Sequence, residues 1–242
     1  MTQASPGPDY SADTVQTAAK RSPVNEILYI TSSPRGGASY SSKVGAQVLA
    51  EFQRAHPDAA VTVRDLARDL PPHIDEDFAA GVAIANAQRT DSQRAAVARS
   101  DALIEELIGA DIIVIAVPMI NFAIPSTLKA WLDHVTRAGR TFTYGDSGPK
   151  GLVTGKRVIL VQAKGGVYSG PMQPYDFVAP YLKHILGFLG MTDVQVIDVE
   201  GTSLGPEATE KAVTRGMKCA EAVATAVRSR RTSRAAIIDS IG

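Results

Sequence analysis

The sequence predicts an α/β fold, a doubly wound five-stranded parallel sheet with helices on both faces. Three observations predict it. Short branched-apolar runs alternate with amphipathic stretches along the chain. The clearest run, Asp111-Ile-Ile-Val-Ile-Ala-Val117, is apolar without alternation, as expected of a central strand covered on both faces. The unusual residues gather just after three of the runs, where strands of an open sheet end and ligands bind.

Each element has its own signal. Residues 25–31 read as the first strand, and a Ser/Gly loop leads to a helix over about 41–55. Residues 61–66 alternate as a short strand. Residues 67–89 read as irregular, with Pro71-Pro72 as a breaker and a few Ala-rich residues of helical character. Thr90-x-x-Gln93 is a capping box, so a helix opens there and runs to about Gly109. Pro125 suits the first position of the next helix and Gly139 its end. A strand follows at 157–161, a helix at 175–189, a strand at 194–199 and a last amphipathic helix at 207–228. The expected division is a mobile polar extension at 1–22, one domain at 23–229 and a tail at 230–242. Arg228, Arg230, Arg231 and Arg234 cluster at the end of the chain and read as a solvated face.

Composition removes whole classes of function. Lys plus Arg number 25 and Asp plus Glu 25, so the formal charge is zero. A globally basic nucleic-acid binder is excluded, and an electron carrier with an acidic docking face is disfavoured. One cysteine, Cys219, allows no internal disulfide, no CxxC pair and no cysteine zinc site. A reducing cytoplasm is the expected location, and Cys219 is expected in the core side of the last helix. The apolar stretch at 27–30 is too short for a membrane span and follows no basic leader, so neither span nor signal peptide is expected. His56, His73, His134 and His184 are scattered without metal-ligand spacing, and no metal is expected.

Three loops carry the chemistry. The first, residues 31–42, has neither GxGxxG nor a Walker lysine, which counts against a dinucleotide fingerprint and a P-loop. It offers the hydroxyls of Ser33, Ser39 and Ser41 and backbone N–H groups at a helix mouth, a natural anion site. The same residues serve ordinary capping, so this loop alone decides nothing. The second loop runs Pro118-Met119-Ile120-Asn121-Phe122-Ala123-Ile124-Pro125. Its prolines stiffen it, Met119, Ile120 and Phe122 suit the face of a flat ring, and Asn121 suits a heteroaromatic edge; a buried connection explains it equally. The third, Gln162-Ala163-Lys164-Gly165-Gly166-Val167-Tyr168, carries two glycines that permit close backbone approach to a ligand. An ordinary turn is the alternative there. A phosphate loop, a Pro/Asn/aromatic segment and a Gly-Gly segment at one sheet edge together point to FMN in a flavodoxin-like fold.

Ala116-Val-Pro-Met-Ile-Asn-Phe122, Arg137-Ala-Gly-Arg-Thr-Phe-Thr-Tyr144, Gly148-Pro-Lys-Gly-Leu-Val-Thr-Gly-Lys156 and Gly187-Phe-Leu-Gly-Met-Thr-Asp193 are more specific. In these segments the chain resembles the FMN-dependent NADH azoreductases, within the flavodoxin-like NAD(P)H:quinone oxidoreductases, from about Asn25 to about Val227. The resemblance implies FMN phosphate at Ser33, Ser39, Tyr40 and Ser41. It implies flavin contacts at Pro118, Met119, Ile120, Asn121 and Phe122, and at Ala163, Lys164, Gly165 and Gly166. Ile120 stands in place of the usual aromatic residue, Ala163 of a serine and Lys164 of an arginine. The missing hydroxyl removes at most one hydrogen bond, about 0.5–1.5 kcal/mol.

The resemblance further implies a homodimer whose sites are finished by the partner, with Phe142 and Tyr144 as pocket wall or as packing beneath the dimer contact. The expected reaction is two-electron reduction of quinones and reductive cleavage of azo compounds to amines. NADH or NADPH is the donor, kinetics are ping-pong, and the chemistry sits on the flavin N5 with no catalytic acid–base pair from the protein. A non-catalytic FMN electron carrier or regulatory flavoprotein is the alternative.

Overall fold

The computed structural model describes residues 24–146 and 148–238, with side chains to residue 223. The extension at 1–22 and the side chains of the C-terminal arginine cluster lie outside the described residues. Five parallel strands form the sheet: β1 (Glu26–Thr31), β2 (Ala60–Asp65), β3 (Ile112–Pro118), β6 (Arg157–Lys164) and β7 (Asp193–Glu200), in the order β2-β1-β3-β6-β7. Two further strands, β4 (Phe142–Gly145) and β5 (Gly148–Gly151), pair antiparallel as a separate hairpin. The helices are α1 (Tyr40–Ala55), α2 (Glu76–Ala83), α3 (Asp91–Gly109), α4 (Ser126–Val135), α5 (Val178–Phe188) and α6 (Pro206–Ile238).

Alternation along the strands sorts the core into two layers. Ile27, Tyr29, Ile112, Val114, Ala116, Ile159 and Val161 face Val44, Val48 and Phe52 of α1 and Ala212 and Ala220 of α6. Leu28, Ile30, Ile113, Ile115, Val117, Val158 and Leu160 face α3, α4 and α5 through residues such as Leu107, Trp131 and Leu182. Both faces of β3 are therefore filled, as its unbroken apolar run requires. Each such side chain contributes roughly 1.5–3 kcal/mol when fully buried. The chain leaves β1 for β2 on one side and then crosses to β3 on the other. The switch point lies between β1 and β3, which sets the ligand crevice at their carboxyl ends.

Local chemistry explains the boundaries. The capping box forms as expected: Gln93 N–H donates to Thr90 Oγ1 at 3.3 Å and Thr90 N–H to Gln93 Oε1 at 3.0 Å. Pro125 is one position earlier than expected. It is the N-cap, with extended ψ of 147°, and its carbonyl accepts from Leu128 and Lys129. α4 stops at Val135, short of Gly139, because the Thr141 hydroxyl takes the Val135 carbonyl at 2.6 Å. Gly139, at φ +76°, instead turns the corner beyond it. Residues 170–175 form a 3-10 turn containing Pro174, and α5 starts only after the Asp176 carboxylate accepts the Val178 N–H. α6 continues to Ile238, well past the expected end and through the arginine cluster. Cys219 is exposed rather than in the core.

The hairpin explains two of the specific sequence segments at once. A Cβ on Gly151 would lie 2.2 Å from the Gly190 nitrogen and 2.3 Å from the Leu189 carbonyl carbon. Val153 N–H bonds the Leu189 carbonyl at 2.9 Å in the same contact. Gly148-to-Lys156 and Gly187-to-Asp193 are thus the two sides of one backbone-on-backbone packing. Gly151→Ala is expected to cost the 1–3 kcal/mol typical of overpacking, lowering Tm by roughly 3–10 °C for a domain of this size. Gly187→Ala, whose Cβ meets nothing within 4 Å on α5, is expected to leave Tm unchanged or raise it. Paired thermal melts of the two variants check this.

Candidate functional site

The first loop leaves the carboxyl end of β1, beside that of β3. Ser32, Ser33, Ser39 and Ser41 are all buried there although hydroxyls cost free energy to bury without partners. Ser39 caps α1 by accepting the Ser42 N–H at 3.4 Å, and its Oγ lies 3.0 Å from the Ser41 Oγ. Ser33 Oγ accepts the Arg35 N–H at 3.3 Å. Between them a 3-10 turn, Gly36–Ala38, is permitted by Gly36 at φ +52°. One hydroxyl, that of Ser39, closes the helix, while those of Ser33 and Ser41 are buried beside its start. Tyr40 is half-buried beside them, with the Arg35 guanidinium 5.4 Å and the Lys43 ammonium 5.8 Å from its ring centre.

Pro118 ends β3 and the second loop folds into a tight turn. Ile120 and Ala123 exchange both backbone hydrogen bonds, at 2.9 and 3.0 Å. The two residues between them, Asn121 at φ +47° and Phe122 at φ +68°, occupy the left-handed region. Two consecutive positive φ angles in a two-residue loop are the type I′ signature, which asparagine tolerates and phenylalanine strongly resists. The turn makes Ile120, Asn121 and Phe122 exposed. Phe122 is held from behind: its carbonyl accepts the Phe177 N–H at 3.1 Å, and its ring lies 6.3 Å from Tyr168 and 6.0 Å from Tyr175. Met119, partly buried against the core, ties this loop to the third through its N–H, 2.8 Å from the Ala163 carbonyl.

Gln162, Ala163 and Lys164 belong to β6, not to a loop, because they keep pairing with Asp198, Val199 and Glu200 of β7. The loop begins at Gly165. A Cβ there would sit 2.7 Å from the Ser203 Oγ, so the glycine lets the 201–204 turn close over the strand end. That turn donates to the carbonyls of Lys164, Gly165 and Gly166 from Thr202, Ser203 and Gly201. The N–H groups of Gly165 and Gly166 pair with no protein acceptor among the described residues. The Lys164 side chain departs most from its expected role as a flavin contact. It is buried, and its ammonium lies 2.8 Å from Asp176, 2.7 Å from Asp198 and 2.8 Å from Glu200. All three of its donors are used, which leaves it only a main-chain route to a ligand. Burial opposes its charge, but the three carboxylates outweigh that and push its pKa well above the ordinary lysine range.

The predicted substrate wall divides. Phe142 belongs to the core, 4.7 Å from the Phe188 ring, and does not line an open pocket of this chain. Tyr144 is exposed on the hairpin, edge-on to Phe142 at 5.5 Å. The Arg137-to-Tyr144 segment builds the corner behind them, with Arg137 and Arg140 both on Asp101 at 2.7 Å. Sequence reasoning missed Tyr168 and Tyr175 as companions of Phe122, and it missed the carboxylate partners of Lys164. The Asp198-Val-Glu200 spacing was the available signal, since period-two acids at a strand end share one face. His134 packs edge-on against Phe78 at 4.9 Å, with Nε2 3.0 Å from the Pro72 carbonyl, while His184 is exposed. Among the described residues no cluster of His, Cys, Asp and Glu forms a metal site. No described helix is long and apolar enough to cross a membrane.

Comparison with known proteins agrees with this geometry. A family model described as having a flavodoxin-like fold matches residues 25–223. The chain is 48% identical over 204 residues to the FMN-dependent NADH:quinone oxidoreductase 1 of Rhizobium etli, covering 84% of this chain and 100% of that one. It is 46% identical over 198 residues to the FMN-dependent NADH:quinone oxidoreductase of Mesorhizobium japonicum, covering 81% and 94%. Among solved structures, an azoreductase from Bacillus anthracis superposes with a TM-score of 0.77 at 31% identity, covering 83% of this chain and 98% of that one. An FMN-dependent NADH-azoreductase from Bacillus anthracis, in complex with FMN, gives 0.75 at 27% identity, with 83% and 99% covered.

Tyr29, buried in β1 under the first loop, donates its hydroxyl to the Ser42 carbonyl at 3.1 Å and so links the strand to α1. Burial, the largest cause, pushes its pKa up to about 12. An unfolded tyrosine ionises at about pH 10. A folded pKa raised above the unfolded one contributes stability that is complete below about pH 10 and is lost as pH rises toward about 12. Denaturant titrations across this alkaline window are expected to show a steeper loss in the wild type than in Tyr29→Phe.

Proposed function

Because the chain belongs to the family with the flavodoxin-like fold, we propose that it is an FMN-dependent NADH:quinone oxidoreductase. The observation that carries the reading is a cluster of buried serine hydroxyls at the α1 N-terminus beside an exposed aromatic wall at the carboxyl edge of the sheet. Relatives bearing that name over nearly their whole length support it. The residues fit FMN. Ser33, Ser39 and Ser41, with the first-turn N–H groups of α1, would hold the phosphate, and the dipole there favours an anion. Pro118 to Phe122 and the unpaired N–H groups of Gly165 and Gly166 would border the ring. Bound FMN would supply two-electron transfer between NADH or NADPH and an acceptor.

The protein's share is position and exclusion. The strained turn fixes Phe122 as an apolar surface on which a flat aromatic molecule can lie, with Tyr168 and Tyr175 behind it. Donor and acceptor use that surface in turn, which makes the kinetics ping-pong. Quinones are the acceptors for a single cycle, and azo compounds yield two amines after two cycles. Exposed Phe122, Tyr175 and Phe177 leave an apolar mouth, which a second copy of the chain would complete as a homodimer. The single cysteine suits a cytoplasmic setting.

The test is to purify the protein, record its visible spectrum with FMN, and follow NADH consumption with benzoquinone or menadione. A yellow protein that consumes NADH only with acceptor is expected. A colourless protein that does not retain FMN sinks the reading, and a yellow one that never oxidises NADH makes it an electron carrier. Ser41→Ala leaves the Ser39 cap in place and is expected to weaken FMN binding by roughly tenfold or more, the size of a hydrogen bond to a charged group. Phe122→Gly suits the turn better than phenylalanine. It is expected to keep Tm within a few degrees while raising the acceptor KM severalfold.

A further inference from the structure

Lys164 lies at the last position of β6, with its side chain 3% exposed. Its three contacts come from different places. Asp198 and Glu200 stand on the neighbouring strand β7, and Asp176 lies twelve residues on, at the end of the segment that leads into α5. The carboxylates carry the grip outward. Asp176 accepts the Val178 N–H at 3.0 Å through its other oxygen, and Glu200 accepts the Tyr168 N–H at 3.2 Å. Gln162 Nε2 holds Asp198 at 2.5 Å from the side. Residues 165–177 are therefore pinned at both ends to one ammonium. Tyr168 and Tyr175 stand on that segment, and Phe177 donates to the carbonyl of Phe122.

We propose that Lys164 is the positioning residue of the acceptor site: by binding Asp176, Asp198 and Glu200 together it sets segment 165–177, which holds the Phe122 turn and its aromatic wall in place. The inference rests on the proposed oxidoreductase reading for its consequence in turnover, but not for its mechanical part. A lysine suits the task. Its ammonium has three rotatable donors that meet the three carboxylates. The turn needs such a hold because Phe122 at φ +68° gains nothing from its own backbone preference.

The test compares Asp176→Asn, which cuts one end of the pin, Lys164→Met, which removes its centre, and Lys164→Arg, which keeps a cation. Chymotrypsin cuts after Tyr168, Tyr175 and Phe177 and reports on the segment in protein stripped of FMN, so this readout is independent of the flavin reading. Cleavage within 165–177 is expected to be at least tenfold faster in Asp176→Asn and Lys164→Met than in the wild type, and within threefold of it in Lys164→Arg. In FMN-loaded protein the same two variants are expected to raise the KM for acceptor and for NADH at least fivefold, with kcat changed less than threefold, because both molecules use the wall that the lysine sets. Asp176→Asn leaves two carboxylates on the lysine, so it answers the question even if Lys164→Met does not fold. Wild-type cleavage rates in a folded Asp176→Asn overturn the proposal. Faster cleavage with an unchanged acceptor KM overturns its functional half. A protein that never binds FMN removes the oxidoreductase reading while the cleavage result still decides the pin.

Discussion

Everything in this molecule hangs on β3. It pairs with β1 on one side and β6 on the other, and both of its faces are closed by helices. A strand in that position is costly to give polar side chains, and Ile112 to Val117 are all apolar and all buried. The chain regains polarity only where β3 ends, at Pro118. The loops of its two neighbours reach the same edge, so the molecule has one place where backbone, hydroxyl and aromatic groups from distant parts of the sequence meet. The site is a consequence of how the sheet is covered.

At that edge the protein uses two opposite devices. The first loop is relaxed: its glycines turn freely, its serines cap and its helix starts where capping chemistry says it should. The second is forced, with Asn121 and Phe122 both at positive φ. Strain of this kind persists only where surroundings over-determine it. The surroundings are the Phe177 N–H, the two tyrosines and, beneath them, an ion cluster of one lysine with three carboxylates. Such a cluster is costly to desolvate and is weak evidence of stabilisation. Its place under the aromatic wall gives it a meaning that its stability contribution does not.

Much of this was legible residue by residue. The capping box at Thr90, the unbroken run of β3 and the five parallel strands with their intervening helices all depend on neighbours within a turn or two, and they came out as read. Pro125 missed by one position and Gly139 by several because the real stops, the Pro125 ψ and the Thr141 hydroxyl on Val135, depend on backbone angles and a side-chain bond. The β4–β5 hairpin was invisible. Gly148-Pro-Lys-Gly151 has neither alternation nor β-propensity and exists because α5 ends against it, with Gly151 on Gly190. The resemblance left Phe142 as pocket wall or as packing, and the aromatic pattern of Phe142 and Tyr144 is the same whichever ring turns inward; the fold turns Phe142 into the core.

The sequence by itself determined the class of fold, the order of the five sheet strands along the chain and which three loops share an edge, because periodicity and capping are local properties of the chain. Tertiary structure decided which side chains at that edge are free to act. Lys164 and Asp176 are twelve residues apart, and Lys164 and Glu200 thirty-six. Only the pairing of β6 with β7 and the return of the chain into α5 bring those charges within hydrogen-bond reach. Once they meet, the ammonium belongs to the scaffold, and the aromatic surface it holds belongs to the site.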